Sequence, residues 1–523
     1  MITSLSHIVL SKASSLWRTL SSDYVLAVSL IVNLSIVLHV VSILLSKTGA
    51  QPFGYPHWLG PYYGGFRFFY AARSMSAEGY RKFKSGGVYK LPRWNSWLFV
   101  VTGEKLVSEI HNLPDDTLSM LDSAYEELQI KYTMGESIHF DPYHVAVLKN
   151  KLRRNLDELV AETTEEVILA FEDLIGKQCD DTWRELDVVQ PLVKTMCRTF
   201  NRIIVGPTLC RNEEYLDLAS KNALERFVTG LFINVFPLFV RPYAVGRLVT
   251  QLPRTVSAAM KYYVPLISAR AAAISKYGKS WEDKPSDVLS WLMDTAKGPQ
   301  QSSEDLTVRL LATNGASTHT SSMSFTQALI NIAMHPEYVD MLRKEAQDNV
   351  DSFGLTKAAL DQLGKMDSFL KESMRVNGLG SATHTRRACK TFALSDGTIV
   401  PEGSYVSAAL DIHFDEAYYP NPESFDGLRF YKGSESSANN DDGFAVPNLH
   451  YLPWGYGKHA WAGRFLVSYV MKALMAHILL SYDVRMGGNG KRPRDVWWGY
   501  MCSHSRRIKM QIKRRKAAVA LSE

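Results

Sequence analysis

The chain has few cysteines for its length and no cluster of them. Its 523 residues contain five, and none forms a CxxC pair or stands at the Cys/His spacing of a zinc site: Cys179, Cys197, Cys210, Cys389 and Cys502. This pattern excludes a disulfide-stapled secreted fold and a structural zinc module. It predicts reduced thiols facing a cytosolic environment.

An excess of charge of one sign is also missing. Lys plus Arg number 59 against 53 for Asp plus Glu, and the net charge of +6 is spread along the chain. Nucleic-acid binders concentrate positive charge in a patch or tail, so no nucleic-acid partner is expected. With 46% hydrophobic and 21% charged residues, the composition excludes a disordered or coiled-coil protein and predicts a large core.

Long apolar runs are absent except for one near the N-terminus. Residues 24–46 carry no formal charge and are bounded by Asp23 and Lys47. As a helix this run spans about 34 Å, enough for a hydrocarbon core of about 30 Å. It is too long for a signal-peptide core and lacks a small-residue cleavage site, so residues 1–47 are predicted to be a single-pass anchor. The charges nearby do not fix its orientation.

The rest of the chain predicts one large domain. Pro and Gly in residues 48–66 predict a stiff hinge, followed by a domain over residues 67–523. Apolar residues at three- and four-residue spacing predict helices within 145–176, 303–333 and 464–481. Alternating segments predict a few strands, at 97–103, 392–400 and, as an edge strand, 506–514. The fold class is therefore mainly α with small β-sheets.

Two segments together offer a buried ion cluster. In KMDSFLKESMRVNG, Glu372 and Arg375 stand three residues apart on one helical face. Such a pair alone is usually a surface ion pair. Arg429 ends a Pro-rich, turn-forming stretch downstream and offers a second guanidinium for the same carboxylate. A glutamate held by two arginines makes a structural clamp.

Two further segments predict contact with a large flat ligand. In YLPWGYGKHAWAGRFLVSYV, which begins at Tyr451, glycines punctuate a tight loop that runs directly into an amphipathic helix. In LLATNGASTHTSSMS, residues 310–324, small and hydroxyl residues interrupt an otherwise apolar helix. Glycines let a backbone approach a flat ligand, and small residues let something large lie against a helix.

In order and spacing, these four features resemble the cytochrome P450 superfamily, specifically its microsomal fungal type, from the anchor to the C-terminus. The resemblance implies a heme cofactor and monooxygenase activity. It maps the family's structural triad to Glu372, Arg375 and Arg429. It also maps the oxygen-activating threonine of the long helix to Thr320, and His319 stands where many members have an acid.

The resemblance implies a set of heme-binding residues as well. Arg386 matches an arginine that pairs with a heme propionate, and His459 matches a basic residue of the heme loop with the same task. For His144, on an earlier helix, the same role and that of a satisfied core histidine are equally good interpretations. The implied set is completed by residues of the loop itself: Gly455, Gly457, Gly463 and Arg464.

The loop departs from the family at its most important position. The family's F-G-x-G-x-H-x-C-x-G-R supplies the thiolate that ligates heme iron. Here the frame reads WGYGKHAWAGR, with Trp461 in place of the cysteine. An indole nitrogen donates hydrogen bonds and has no lone pair for a metal, so no metal ligand is expected at this position. His459 lies two residues earlier and should point elsewhere, while Cys389 and Cys502 belong to other predicted strands or turns.

Three hypotheses follow from Trp461. The first is a monooxygenase by descent in which a sequence error or recent single-base change altered the cysteine codon. The second is an inactive relative whose scaffold still folds. The third is a heme-independent enzyme that uses the old pocket for a non-redox step such as cyclisation or dehydration. The surviving heme-site residues favour the first two.

Partners are implied mainly by the resemblance. Residues 227–245 are rich in Phe and aliphatic side chains and are broken by two prolines, which predicts two short helices and a turn. In the resembled family this region covers the active site, which implies a lipophilic substrate, terpenoid-like or polyketide-like, entering from the bilayer. An NADPH-dependent diflavin reductase is the implied redox partner, and the endoplasmic reticulum membrane, with a cytosolic main domain, is the implied location.

A basic cluster is a candidate surface for that reductase. It consists of Lys149, Lys151, Arg153 and Arg154 on one predicted helix. The cluster suits an acidic partner, although a solvated helix face is an equally good interpretation.

Overall fold

The computed structural model describes residues 29–30, 33–34, 37, 41, 48–53, 60–93, 96–234, 236, 241–242, 252–433 and 442–516. Helices dominate this part of the chain: α1 Gly60–Phe83, α2 Glu104–Asn112, α3 Met120–Glu127, α4 Ile130–Thr133, α5 Ser137–Phe140, α6 Tyr143–Arg154, α7 Leu156–Leu174, α8 Val189–Val205, α9 Glu213–Asn234, α10 Leu252–Tyr277, α11 Val288–Thr295, α12 Ser303–Met334, α13 Val339–Phe353, α14 Lys357–Asp361, α15 Gly364–Val376 and α16 Arg464–Ser481.

The strands are short and form small sheets. They are β1 Gln51–Pro52, β2 Gly87–Arg93, β3 Ser96–Thr102, β4 Leu118–Ser119, β5 Arg184–Asp187, β6 Ala382–Ala388, β7 Phe392–Ala393, β8 Ile399–Val400, β9 Tyr405–Ala409, β10 Tyr482–Met486, β11 Val496–Trp498, β12 Met501–Ser503 and β13 Lys509–Arg514. One mixed sheet has the order β1-β2-β3-β9-β6-β4, a second has the order β10-β13-β5, and two hairpins pair β11 with β12 and β7 with β8. The expected class, mainly α with small sheets, is confirmed.

The long helix α12 runs through the largest core. The Ser302 side chain caps its N-terminus by accepting a hydrogen bond from the Asp305 N–H, and it ends just before Pro336. It packs against α8, α9 and α10. The three helices expected from the apolar spacing are all present, the first of them divided into α6 and α7.

Helix α16 is apolar because it belongs to the core. Among the described residues it is the one helix long and apolar enough to cross a membrane, and 89% of it is buried inside the protein. It packs against α7 and α13. Its composition therefore reflects burial on all sides by protein.

The expected hinge and anchor fall on residues that are only partly described. Residues 51–52 form β1, parallel to β2, and Thr48 is buried and accepts a hydrogen bond from Lys90 Nζ at 2.9 Å. Helix α1 begins at Gly60. Residues 48–53 are thus held against the domain by strand pairing and by the Thr48 hydrogen bond, and residues 60–66 belong to α1. Most of the expected anchor lies outside the described residues, and the six described ones are helical and exposed: Ser29, Leu30, Asn33, Leu34, Val37 and Val41.

The expected strands are present, with one difference in position. Residues 392–400 form the β7–β8 hairpin and residues 96–102 form β3. Strand β13 was expected at an edge, yet it lies between β10 and β5 and pairs antiparallel with both. Its alternating sequence predicts a strand but does not reveal that β5, from a distant part of the chain, covers its second side.

Candidate functional site

A buried ion cluster connects α15 to the segment after β9. Glu372 and Arg375 are fully buried, and Arg375 donates from Nε and Nη2 to the two carboxylate oxygens at 2.7 and 2.8 Å. Arg429 Nε lies 3.1 Å from both of those oxygens, and the Asp426 N–H donates to Glu372 at 3.0 Å. The structure thus brings the three expected triad residues together. Two guanidinium groups and a backbone amide compensate one buried carboxylate.

The loop from Trp454 to Arg464 is closed by its own hydrogen bonds. Gly455 and Gly457 have φ of 95° and 60°, a region that favours glycine. The Trp461 N–H donates to the Trp454 carbonyl at 2.8 Å, which closes the loop. Arg464 then donates to the carbonyls of Ala445 at 3.1 Å and Trp461 at 3.0 Å. In the described structure Arg464 therefore holds the loop in shape.

Trp461 packs within this loop. Its indole lies parallel to that of Trp454, with 6.0 Å between ring centroids and 8° between planes. A Cβ added at Gly463 would lie 2.9 Å from the Trp461 ring, so Gly463 leaves the space that the indole uses. The side chain thus occupies the position expected for a metal ligand without offering a lone pair to a metal.

A cationic cluster lies between β6, α2 and the loop. Arg386 is buried and donates from Nη1 to the Ile110 carbonyl at 2.6 Å, while its Nε and Nη2 have no hydrogen-bond partner among the described residues. Burial lowers the pKa of Arg386 to about 10. His459 Nε2 lies 3.0 Å from Asp115 Oδ1, and its pKa is lowered first by burial and then by Arg386. The site is suited to an additional anion.

Sequence reasoning missed two members of this cluster. The pKa of His111, on α2, is lowered to about 4, mainly by burial and also by the charges of Arg386 and His459. Asp115 is the carboxylate that, among the described residues, lies within ion-pair distance of His459. Both precede Arg386 by more than 250 residues in the chain, and neither stands in a motif. No local signal in the sequence could have identified them.

His144 is engaged elsewhere. Its Nδ1 lies 3.0 Å from Nη1 of Arg309 on α12, and burial lowers its pKa to about 4. Arg309 also pairs with Asp305 at 2.6 Å. The structure therefore places His144 at the α6–α12 contact and does not bring it to Arg386. From the same helix, Lys149 reaches the loop instead, donating to the Lys458 carbonyl at 3.2 Å.

The hydroxyl-rich part of α12 presents two different faces. Ala316 and Thr320 are exposed in the middle of the helix, and the Thr320 hydroxyl donates to the Ala316 carbonyl at 3.2 Å. His319 points to α9, where its Nε2 donates to the Ser220 carbonyl at 2.8 Å. Because neighbouring helical residues are rotated by about 100°, Thr320 and His319 do not share a face. The exposed face near Thr320 leaves room for a large ligand.

The residues of the site fit the propionate groups of a heme but do not fit its iron. The two unpartnered nitrogens of buried Arg386, with His459 nearby, suit the propionate groups. The iron finds no thiolate at position 461. Burial raises the pKa of all five thiols, to about 11 for Cys179 and Cys389 and to about 12 for the remaining three, so none is poised as a thiolate. No oxidative step can be derived from this set of residues.

Comparison with known proteins identifies similar chains. A family model described as cytochrome P450 matches residues 104–512. The chain is 35% identical over 488 residues to cytochrome P450 monooxygenase 151 of Postia placenta, covering 91% of this chain and 97% of that protein. It is 29% identical over 473 residues to the ent-kaurene oxidase of Gibberella intermedia, covering 88% and 87% respectively.

The fold is also found among solved structures. A retinoic acid-bound cyanobacterial protein, CYP120A1, superimposes with a TM-score of 0.66 at 17% identity, covering 90% of this chain and 100% of that one. At this identity the similarity concerns the fold alone.

Proposed function

Since the chain belongs to the cytochrome P450 family, we propose that it descends from a microsomal monooxygenase of fungal secondary metabolism that oxidised a lipophilic, terpenoid-like or polyketide-like substrate. A relative named ent-kaurene oxidase supports a terpenoid-like substrate. Thiolate-dependent oxidation is the activity the scaffold is built for, and position 461 decides whether this chain performs it.

One observation carries the proposal. Among the described residues, two nitrogens of buried Arg386 have no hydrogen-bond partner, while Trp461 occupies the ligand position in the neighbouring loop. A buried guanidinium with two unsatisfied nitrogens is costly, so a scaffold that had stopped binding the cofactor long ago should have lost it. The presence of Arg386 with these unsatisfied nitrogens favours a recent loss of the thiolate.

Each site residue has a role in this proposal. Heme, when bound to a chain with cysteine at position 461, would supply oxygen activation. Arg386 and His459 would hold the propionates, Gly455 and Gly457 would let the loop backbone approach the macrocycle, and Thr320 would face the substrate. The Glu372 clamp would keep the segment after β9 fixed to α15.

The proposal also gives the chain the membrane location and the redox partner of a microsomal enzyme. Residues 1–47 would anchor the chain in the endoplasmic reticulum membrane with the main domain in the cytosol, and the exposed apolar side chains of Leu30, Leu34, Val37 and Val41 support this. The basic cluster on α6 would receive an NADPH-dependent diflavin reductase. Lys149 supports this role because its Nζ donates to the Lys458 carbonyl at 3.2 Å, so one end of the cluster lies beside the loop.

The test compares the chain with Trp461→Cys. Both are purified in parallel with heme precursor supplied, and heme content and the reduced, carbon monoxide-treated difference spectrum are measured. We expect the Trp461 form to bind heme weakly or not at all and to support no reductase-driven hydroxylation. We expect Trp461→Cys to bind heme and give a thiolate-type Soret band. Trp461→Ser, which also removes the indole but adds no strong ligand, is the control and should give no thiolate band.

Two outcomes would overturn the proposal. A thiolate-type band from the Trp461 form would show that another cysteine ligates the iron. A Trp461→Cys form that folds but lacks heme would show that the pocket has diverged beyond one residue. In the latter case, a heme-independent enzyme catalysing a non-redox step becomes the leading hypothesis.

A further inference from the structure

A cavity of about 350 Å³ lies between α1, α3, α9 and the strands β6 and β9. Its size is within the usual range of small-molecule sites, about 300 to 1,000 Å³. Much of its wall is apolar and aromatic, with Phe68 and Phe69 from α1 and Phe227 and Leu231 from α9. Phe227 and Leu231 are four residues apart and therefore share a face of α9. The cavity is suited to a hydrocarbon skeleton.

Charged groups also line the cavity, and its carboxylates are engaged. Glu127 accepts a hydrogen bond from Arg93 at 2.9 Å and another from the Tyr500 hydroxyl at 3.0 Å. Arg241 lies 3.8 Å from Glu126 and donates to the Phe236 carbonyl at 2.8 Å. The two acidic residues in the wall thus each have an arginine.

A third arginine in the wall adds a positive charge. The guanidinium of Arg387 makes no hydrogen bond or ion pair with any residue in the part of the chain that the structure describes, and its Nη2 lies beside Gly403, which also lines the cavity. Adjacent residues of a strand point to opposite faces, so Arg386 and Arg387 on β6 serve different sites. Arg386 turns to Ile110, and Arg387 turns to the cavity. The cavity therefore combines an apolar wall with one uncompensated cation.

We propose that this cavity binds a lipophilic carboxylic acid, with the carboxylate on Arg387 and the hydrocarbon on the aromatic wall. A guanidinium matches a carboxylate with two parallel hydrogen bonds, and a partly buried one gains more from that pairing than an exposed one. That such an acid is the substrate rests on the proposed function. That the cavity binds such an acid is tested by a measurement that does not require heme.

The experiment measures binding of lauric acid and of dodecanol, which has the same chain without the charge, to the purified full-length chain by isothermal titration calorimetry at pH 7.5. We expect lauric acid to bind at least tenfold more tightly than dodecanol. In Arg387→Met the affinity for lauric acid should fall at least tenfold, while the affinity for dodecanol should change little. The matched control is Arg254→Met, because Arg254 is exposed on α10, and both ligands should bind to it as they do to the unaltered chain.

Several results would overturn the inference. They are equal affinity for the acid and the alcohol, an Arg387→Met form that binds lauric acid unchanged, or dodecyl phosphate bound more tightly than the acid through Arg387. If Arg387→Met does not fold, as judged by thermal unfolding, Arg387→Gln gives the same comparison with a polar side chain. Because no step depends on heme, a failure here is separate from the outcome at position 461.

Discussion

Glu372 is a buried carboxylate that balances the charges of two arginines, Arg375 and Arg429. Replacing it with glutamine would remove the charge and leave Arg375, which is 1% exposed, and Arg429 without compensation. Breaking a buried ion pair in this way typically costs about 3 to 5 kcal/mol. We expect Glu372→Gln to lower the free energy of unfolding by about that amount, measured by urea titration.

Glu416→Gln is the control for this measurement, because Glu416 is exposed and its loss should leave the unfolding midpoint nearly unchanged. A Glu372→Gln form as stable as the control would mean that the clamp contributes nothing to the fold. The arrangement of three groups around one carboxylate argues against that result.

The loop and the start of α16 depend on each other through Gly463 and Trp461. Gly463 has φ of −78°, which alanine adopts readily, so only space limits substitution. An alanine Cβ would lie 2.9 Å from the indole, and overpacking of this kind costs about 1 to 3 kcal/mol. We expect Gly463→Ala to destabilise the Trp461 form by that amount and the Trp461→Cys form by less than about 0.5 kcal/mol.

A double-mutant cycle measures this coupling by urea unfolding of the four forms. Equal costs in both backgrounds would show that the indole lies away from Gly463. The result reports how tightly the indole of Trp461 fits against Gly463, and it does not depend on heme.

At the scale of the whole molecule, Thr48 and the residues of β1 contact the large domain. Residues 51–52 pair with β2, and the Ile399 N–H donates to the Thr48 carbonyl at 3.1 Å, so these residues contribute to the stability of the domain. We expect deletion of residues 1–47 to leave a folded protein that is released from membranes by mild salt, as measured by fractionation and circular dichroism. Deletion of residues 1–66 serves as the comparison and should reduce stability, because it removes β1 and the first turns of α1.

A folded, non-aggregated 48–523 chain that stays wholly in the membrane fraction would contradict the single-anchor arrangement. The exposed Phe66, Phe69 and Tyr70 on α1 are then the first candidates for a second contact with the membrane.

Helices and the Glu372–Arg375 pair were predictable from the sequence because both depend on spacing along a single element. A three-residue separation puts two side chains on one helical face, and the apolar periodicity of α12 and α16 sets their burial. The separate directions of Thr320 and His319 follow from the same helical geometry. That position 461 offers no metal ligand was also predictable from the sequence, since no tertiary structure gives an indole a lone pair for iron.

The tertiary structure alone decided how distant segments meet. Arg386 finds the Ile110 carbonyl 276 positions away, β13 gains β5 as a second neighbour, and His144 pairs with Arg309 instead of joining the cationic cluster. Arg386 and Arg387 are adjacent in the sequence. Only the packing on the two sides of β6 decided that Arg386 contacts the Ile110 carbonyl and that Arg387 lines the cavity. Contacts between distant segments depend on the packing of the whole core, which no local spacing encodes.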